Sequence, residues 1–126
     1  MQIFLIEDDT IYMELLKKAL SQNPNYKIKA FGNAEDAFAA IDGDLPDALI
    51  IDYKLPGMSG IDFYEKIKGR VREEHKIILL SALDDGNMVL SFIQRGVRDY
   101  VIKDENVIES LRAVLGGTQD DSYLFD

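Results

Sequence analysis

The sequence has no cysteine and no long apolar segment. Without cysteine, disulfides and thiolate metal sites are excluded. No apolar run approaches the roughly 20 residues that a membrane-spanning helix needs. The chain also does not open with the basic and then apolar pattern of a signal peptide. We therefore expect a cytoplasmic protein that makes no contact with a membrane.

Basic residues are scarce relative to acidic ones. Lysine and arginine number 14 against 23 aspartates and glutamates, which leaves a net charge of −9. Proteins gain affinity for nucleic acid when their cations displace counterions from the phosphates. Direct nucleic-acid binding by this chain is therefore excluded, and any such role belongs to a partner or to a segment outside these 126 residues.

Five apolar runs typical of strands alternate with helical patterns. The first, third and fourth runs are continuously apolar, as in strands covered on both faces. The second is different, because Tyr26, Ile28 and Ala30 alternate with Lys27 and Lys29 in the manner of an edge strand. The pattern predicts an α/β fold of the flavodoxin-like kind. It would be a single doubly wound five-stranded parallel sheet of order 2-1-3-4-5, with helices on both faces.

The helical segments show apolar stripes and start signals. Ile11, Leu15 and Ala19 recur at intervals of four and predict the buried face of the first helix. Asn33 is suited to cap the second helix and Ser59 the third, because their side-chain oxygens can accept bonds from the first free N–H groups.

The last helical pattern is followed by two glycines. Gly116 and Gly117 predict the end of the helix. We therefore place one domain at residues 1–117, and interpret residues 118–126 as a tail or the start of a linker.

Chemically useful residues follow four of the predicted strands. Because the carboxyl ends of parallel strands meet at one edge of a sheet, we expect these residues to converge. Two carboxylates about 4 Å apart repel by up to ~4 kcal/mol at an effective dielectric of 20. A cation between them would relieve this repulsion, and Mg²⁺ suits one or two carboxylates plus phosphate oxygens. The residues are Glu7, Asp8 and Asp9 after the first strand, Asp52 after the third, Ser81 after the fourth and Lys103 after the fifth.

Each of these residues also has a structural interpretation. Asp9 is suited to cap the following helix, and Asp52 to form a turn. The chemical alternative makes Asp52 a nucleophile that forms an acyl phosphate. Lys103 would then neutralise charge on the phosphoryl group, and Ser81 would donate a hydrogen bond to it.

Together these residues resemble a two-component response-regulator receiver domain over residues 1–117. The resemblance rests on Glu7, Asp8, Asp52, Ser81 and Lys103, with Leu55, Pro56 and Gly57 after the aspartate. It implies that Asp52 is the phosphoacceptor of a phosphorelay, supplied by a histidine kinase or a histidine phosphotransfer protein. It also implies that Asp8, Asp52 and the backbone carbonyl of Lys54 bind Mg²⁺, which Glu7 reaches through water.

The resemblance further implies a timed signalling switch that slowly hydrolyses its own acyl phosphate, and no enzyme with a separate substrate. Ser81 and Tyr100 match the switch pair of the family. Some similar receivers are attached to transcription-regulating output domains, including an ATPase-linked kind, which suggests a transcriptional regulator. An output domain, a target protein and a phosphorylation-dependent dimer are the partners left open.

One position departs from the family pattern. Asp104 follows Lys103, where many members have a proline after a cis bond, and the sequence leaves the cis or trans state of this bond open. A cis bond before a residue other than proline costs about 2.5–4 kcal/mol.

Two further side chains are predicted to set the lifetime of the acyl phosphate. Lys54 lies two residues after Asp52, and Leu83 lies two residues after Ser81. We expect both to line the path of the hydrolytic water and to shield the phosphorus.

Other functions remain as alternatives. A stand-alone receiver would act through protein contacts. A magnesium-dependent aspartyl-phosphate phosphatase would need a nucleophile at the end of the first strand and a second aspartate two positions later, where this chain has Glu7 and Asp9. A flavodoxin-like nucleotide binder would need a phosphate loop in place of the acidic triplet.

Overall fold

The structure, a computed structural model, describes residues 1–83 and 85–123, of which 117–123 by backbone alone. Strands and helices alternate along the chain, and a short 3₁₀ turn at Lys68–Arg70 follows α3. The elements are β1 Gln2–Ile6, α1 Thr10–Leu20, β2 Lys27–Phe31, α2 Ala34–Ala40, β3 Ala48–Asp52, α3 Gly60–Ile67, β4 Lys76–Ser81, α4 Gly86–Gln94, β5 Asp99–Ile102 and α5 Val107–Tyr123.

The five strands form one parallel sheet of order β2-β1-β3-β4-β5. This confirms the predicted topology, with the alternating second strand at an edge. In the pairing of β3 with β4, Asp52 lies opposite Leu80, one residue before Ser81. The register therefore brings the ends of the central strands to the same level.

Each central strand supplies side chains to both faces of the sheet. In β1, Phe4 and Ile6 pack into a cluster with α2, α3 and α4, whereas Ile3 and Leu5 pack into a second cluster with α1 and α5. The alternation follows from the two-residue period of a strand. A continuously apolar run is therefore what a strand between two helical layers requires.

The predicted caps of α2 and α3 are present. Asn33 Oδ1 accepts a hydrogen bond from the Asp36 amide at 2.7 Å, and Ser59 Oγ accepts one from the Asp62 amide at 3.1 Å. Asp9 caps α1 in the same way, through the Tyr12 amide at 3.1 Å. Such bonds satisfy N–H groups that have no partner inside the helix.

The predicted buried face of α1 was wrong. Ile11 is 84% exposed and Leu15 is also exposed, whereas Leu16 and Leu20 are buried against the sheet. Both pairs are four residues apart, so the period is the same for the two faces. Burying a leucine side chain contributes about 1.5–3 kcal/mol, and the direction in which the chain leaves β1 decides which pair gains it.

The predicted end of the last helix was also wrong, because α5 continues through the two glycines to Tyr123. A glycine in a helix costs only about 1 kcal/mol relative to alanine. Val107, Leu111 and Leu115 anchor the preceding turns in the core. The predicted tail therefore begins as helix, and residues 124–126 lie outside the described residues. Among the described helices, α5 included, none combines the length and the apolar character needed to cross a membrane.

Candidate functional site

The carboxyl edge of the sheet forms an acidic pocket of about 260 Å³. Three of the predicted strand-end groups, from β1, β3 and β5, meet in it. The lining residues are Glu7, Asp8, Asp9, Asp52, Tyr53, Lys54, Ala82, Asp85 and Lys103. Ser81 ends β4 at the same edge but lines the adjoining cavity described below.

Lys103 joins two buried carboxylates. Its Nζ lies 2.6 Å from Glu7 Oε1 and 2.9 Å from Asp52 Oδ2. The Glu7 side chain is 0% exposed, that of Asp52 is 5% exposed and that of Lys103 is 23% exposed. Water therefore reaches the cation more easily than the two anions. Because one cation faces two carboxylates, with Asp8 beside them, the pocket keeps an excess of negative charge.

Burial is the main cause of the raised pKa of Glu7. The hydrogen bond from Lys103 opposes this effect, while the proximity of Asp52 adds to it. The folded protein therefore holds a proton on Glu7 at pH values where the unfolded chain has lost it. Consequently the contribution of Glu7 to stability falls as the pH rises from its ordinary pKa of 4.5 through the raised value.

The pKa of Lys103 is also raised. Burial alone would lower it, but hydrogen bonds and charge interactions with Glu7 and Asp52 outweigh the burial. The stability that this cation contributes is therefore fully present below its ordinary pKa of 10.5, and it is lost as the pH rises through the raised value. Lys103 stays charged throughout the neutral range.

Three carboxylates are arranged to hold a metal ion. One oxygen from each of Glu7, Asp8 and Asp52 lies within 4.8 Å of the others. Glu7 and Asp52 are buried, whereas Asp8 is exposed and leaves one side open to water. An all-oxygen site with access for water and further oxygen ligands fits Mg²⁺. The donors present therefore fit the predicted ion.

The position of Asp52 is set by the backbone around it. Asp52 Oδ1 accepts a hydrogen bond from the Lys54 amide at 3.2 Å. The first residue of α3, Gly60, packs so closely that a Cβ there would lie 2.8 Å from the Asp52 carbonyl oxygen. A side chain at position 60 would force the helix away from the strand end. This contact packs the N-terminus of α3 against the backbone of Asp52 and Tyr53.

The loop that carries Lys103 is held from a second direction. The peptide bond between Lys103 and Asp104 is trans. Lys103 Nζ lies 5.0 Å from the centroid of the Tyr12 ring, within the range of a cation–π contact. Tyr12 was missed by the sequence reasoning, since its approach to the lysine depends on the face that α1 buries.

The predicted switch residues border one cavity. Ser81 is buried, and its Oγ has no hydrogen-bond partner among the described residues. It lines an apolar cavity of about 270 Å³ between β4, β5 and α4, together with Tyr100. The Tyr100 side chain is 47% exposed. The arrangement contains an unpaired buried hydroxyl and space beside an outward-facing ring.

The two residues predicted to set the lifetime of the acyl phosphate lie in different places. Lys54 lines the acidic pocket, and its Nζ lies 5.8 Å from the centroid of the Tyr53 ring. Leu83 is 79% exposed and lines the adjoining apolar cavity. Of the two residues, Lys54 therefore lines the pocket that contains the carboxylates, and Leu83 lines the adjoining cavity.

Tyr53 and Asp85 also belong to the pocket, and the sequence reasoning did not identify them. The Tyr53 hydroxyl donates a hydrogen bond to Asp85 Oδ1, and Asp85 is buried. Their positions, directly after Asp52 and four residues after Ser81, are the only signal that the sequence offers for either residue. A pairing over 32 positions cannot be read from spacing alone.

Known proteins share this arrangement of elements. The chain is 31% identical to the response regulator TrrA of Thermotoga maritima, solved in complex with Mg²⁺ and BeF. This match covers 90% of the chain and 96% of that structure, with a TM-score of 0.73. NtrX of Brucella abortus has a TM-score of 0.78 at 22% identity, over 99% of this chain and 29% of that one, and shows the fold alone.

Curated relatives are longer proteins. The chain is 29% identical to the "Probable transcriptional regulatory protein NarL" of Mycobacterium tuberculosis, over 86% of the chain and 50% of that protein. It is 27% identical to the response regulator MprA of Mycobacterium leprae, over 96% of the chain and 54% of that protein. The chain thus spans about half the length of these relatives. Residues 3–115 match the response regulator receiver domain family, and the chain belongs to that family.

Proposed function

We propose that this receiver domain is a phosphorylation-activated switch whose phosphoacceptor is Asp52. The observation that carries the proposal is the buried carboxylate of Asp52, held 2.9 Å from Lys103 Nζ inside the acidic pocket. The donor would be a histidine kinase or a histidine phosphotransfer protein, and the domain would act in the cytoplasm. It would act on no separate substrate.

The transfer forms one bond and breaks one. An Asp52 carboxylate oxygen attacks phosphorus, and the bond from phosphorus to the donor histidine nitrogen breaks with its electron pair remaining on nitrogen. Lys103 neutralises charge on the phosphoryl oxygens as a point cation. The Ser81 hydroxyl, which has no partner among the described residues, supplies a hydrogen bond.

The carboxylates of Glu7, Asp8 and Asp52, with the backbone carbonyl of Lys54, would hold Mg²⁺. When bound, the ion supplies charge neutralisation for the phosphoryl oxygens. Lys103 and the backbone amides of Asp9 and Lys54 hold the carboxylates of Glu7 and Asp52 in place. The Asp9 side chain accepts a hydrogen bond from the Tyr12 amide in α1. Asp9 therefore does not belong to the three carboxylates that would hold the ion.

The response to phosphorylation would run through Ser81 and Tyr100. Drawing the Ser81 hydroxyl toward the phosphoryl group leaves room in the 270 Å³ cavity, into which the Tyr100 ring can turn. This changes the surface made by α4 and β5, and favours one of two conformations. We expect the response on the face built from residues 84–115, of which Asp84 lies outside the described residues.

The length of the relatives supports an output domain beyond this receiver. NarL and MprA are about twice as long as the matched region, and NarL is named as a transcriptional regulator. We propose that the chain is the receiver part of such a regulator, in which a separate domain binds DNA and phosphorylation promotes a dimer. A stand-alone receiver that acts through protein contacts is the alternative, and the reading frame after Asp126 distinguishes the two.

Acetyl phosphate with Mg²⁺ is expected to add one phosphoryl group, at Asp52. Intact-mass measurement should show the added group in the wild type and none in Asp52→Asn. Asp47→Asn is the matched control, since Asp47 precedes the same strand at its opposite end. It should be modified like the wild type. A phosphorylated Asp52→Asn protein would show that the phosphoacceptor is elsewhere.

Removing the Lys54 side chain is expected to shorten the life of the acyl phosphate. Lys54 lines the acidic pocket. From there its cation would pair with a phosphoryl oxygen and hinder the approach of water. Loss of phosphate over time, followed by mass after removal of the donor, should be severalfold faster in Lys54→Ala. Leu83→Ala should have a smaller effect, because Leu83 lines the adjoining cavity. Wild-type decay in Lys54→Ala would refute shielding.

A further inference from the structure

Asp85 stands at the start of α4 but does not cap it. Aspartate is favoured at this position because its side chain can bond the free N–H groups of the first turn. Here no such side-chain bond is formed. Instead Asp85 Oδ2 accepts a hydrogen bond from the Ala82 amide at 2.8 Å, and Oδ1 accepts one from the Tyr53 hydroxyl. The carboxylate is buried and lines the acidic pocket.

Both partners of Asp85 are next to reacting residues. Tyr53 follows Asp52, and Ala82 follows Ser81. Ala82 lines the same pocket as Asp52, and its amide is bonded there to Asp85. A phosphoryl group on Asp52 needs hydrogen-bond donors in this pocket. The Asp85 carboxylate already accepts the hydrogen bond of the Ala82 amide.

We propose that Asp85 is an internal ligand of the phosphoryl site, held in place by Tyr53, which the phosphoryl group displaces from the Ala82 amide. The inference rests on the proposed function and adds that Asp85 competes with the phosphoryl group for the Ala82 amide. A phosphoryl group brings three strong acceptor oxygens and a charge of about −1.5 to −2 at neutral pH. It is therefore a stronger ligand for the amide than the carboxylate, which it also repels.

The displaced carboxylate has a second position within reach. If the Asp85 backbone, now at φ −97° and ψ 24°, moves to the extended conformation of the other caps, the rotated side chain would accept from the first-turn amides of α4. The N-terminus of α4 then has two alternative hydrogen-bond arrangements, one for each phosphorylation state. This connects the pocket to α4 by a route separate from Ser81 and Tyr100.

The test measures the affinity of the intact chain for beryllofluoride with Mg²⁺, which mimics the acyl phosphate. NMR titration should give about tenfold tighter binding in Asp85→Asn and Asp85→Ala. This factor corresponds to the loss of one charge-assisted hydrogen bond, with which the carboxylate competes for the Ala82 amide. Tyr53→Phe keeps the ring but releases its hold on the carboxylate, and should bind about threefold tighter. Tyr64→Phe is the matched control. The Tyr64 hydroxyl donates a hydrogen bond to the Arg95 carbonyl, beyond the other end of α4. The affinity of this variant for beryllofluoride should equal that of the wild type.

A purely structural role for Asp85 predicts the opposite sign, because loosening the start of α4 would weaken binding. Unchanged or weaker binding in both Asp85→Asn and Tyr53→Phe would overturn the proposal, as would beryllofluoride shifts in the wild type that leave the Ala82 and Met88 amides unmoved. Failure of the proposed function is distinguishable, since the wild type would then bind no beryllofluoride, or Asp52→Ala would bind it equally well.

Discussion

Replacing Lys103 with methionine is expected to lower the free energy of unfolding by about 3 kcal/mol at neutral pH. Removing one partner of a buried ion pair leaves an uncompensated charge and costs about 3–5 kcal/mol. The lower end applies because the lysine side chain is 23% exposed. Here the charges left are Glu7 and Asp52, both nearly inaccessible to water. Urea unfolding of the variant and the wild type measures the difference.

The pH dependence of this loss identifies its cause. Burial already raises the pKa of Glu7, and without Lys103 that pKa rises further. The variant therefore gains more stability than the wild type as the pH falls from 7 toward 4.5, the ordinary pKa of Glu7. The gap between the two proteins should narrow over this interval.

Two controls separate charge from packing. Adding Glu7→Gln to Lys103→Met should recover much of the lost stability at neutral pH, since the second change removes one uncompensated anion. Lys18→Met, at an exposed position of α1, should be nearly neutral. A loss that is equal at pH 5 and pH 7, and unaffected by Glu7→Gln, would mean that Lys103 contributes through its aliphatic stem alone.

Magnesium is expected to stabilise the fold, and Asp8→Asn is expected to remove most of this effect. An ion that binds only the folded state adds about 2.7 kcal/mol at a concentration 100 times its Kd. In this chain it would also relieve repulsion among three carboxylates whose oxygens lie within 4.8 Å of one another. Thermal melts with Mg²⁺ and with a chelator give the shift in Tm.

Asp9→Asn provides the matched control for this experiment. Asp9 is the neighbour of Asp8 and carries the same charge, but it lies outside the three-carboxylate set and its side chain caps α1. Asparagine caps a helix about as well as aspartate. The control should therefore keep the full magnesium response. If both variants respond like the wild type, the carboxylates do not form the magnesium site.

Local patterns predicted the sheet and the start of two helices correctly. The continuous apolar run of β3 requires cover on both faces, and the alternation around Ile28 indicates an edge. Asn33 and Ser59 cap helices through amides three residues away. These features depend on neighbours in the chain, so they can be read without the fold.

Features that depend on competing contacts were predicted less well. Ile11 and Leu16 belong to two stripes of the same period, and only the packing of α1 on the sheet selects the second. The glycines after Leu115 favour a helix end, yet the anchored turns before them carry α5 to Tyr123. The local preference is absent for the face of α1 and about 1 kcal/mol for the end of α5. The burial of apolar side chains therefore decides both features.

By itself the sequence determined the parallel sheet and the residues at its carboxyl edge, because strand period and strand-end position are local properties. Only the tertiary structure decided how those residues interact. Lys103 meets Glu7 across 96 positions, and Tyr53 meets Asp85 across 32. Which donor reaches which carboxylate depends on backbone placement to within an ångström or so, since a hydrogen bond is lost over that distance. No spacing of residues along the chain contains that information.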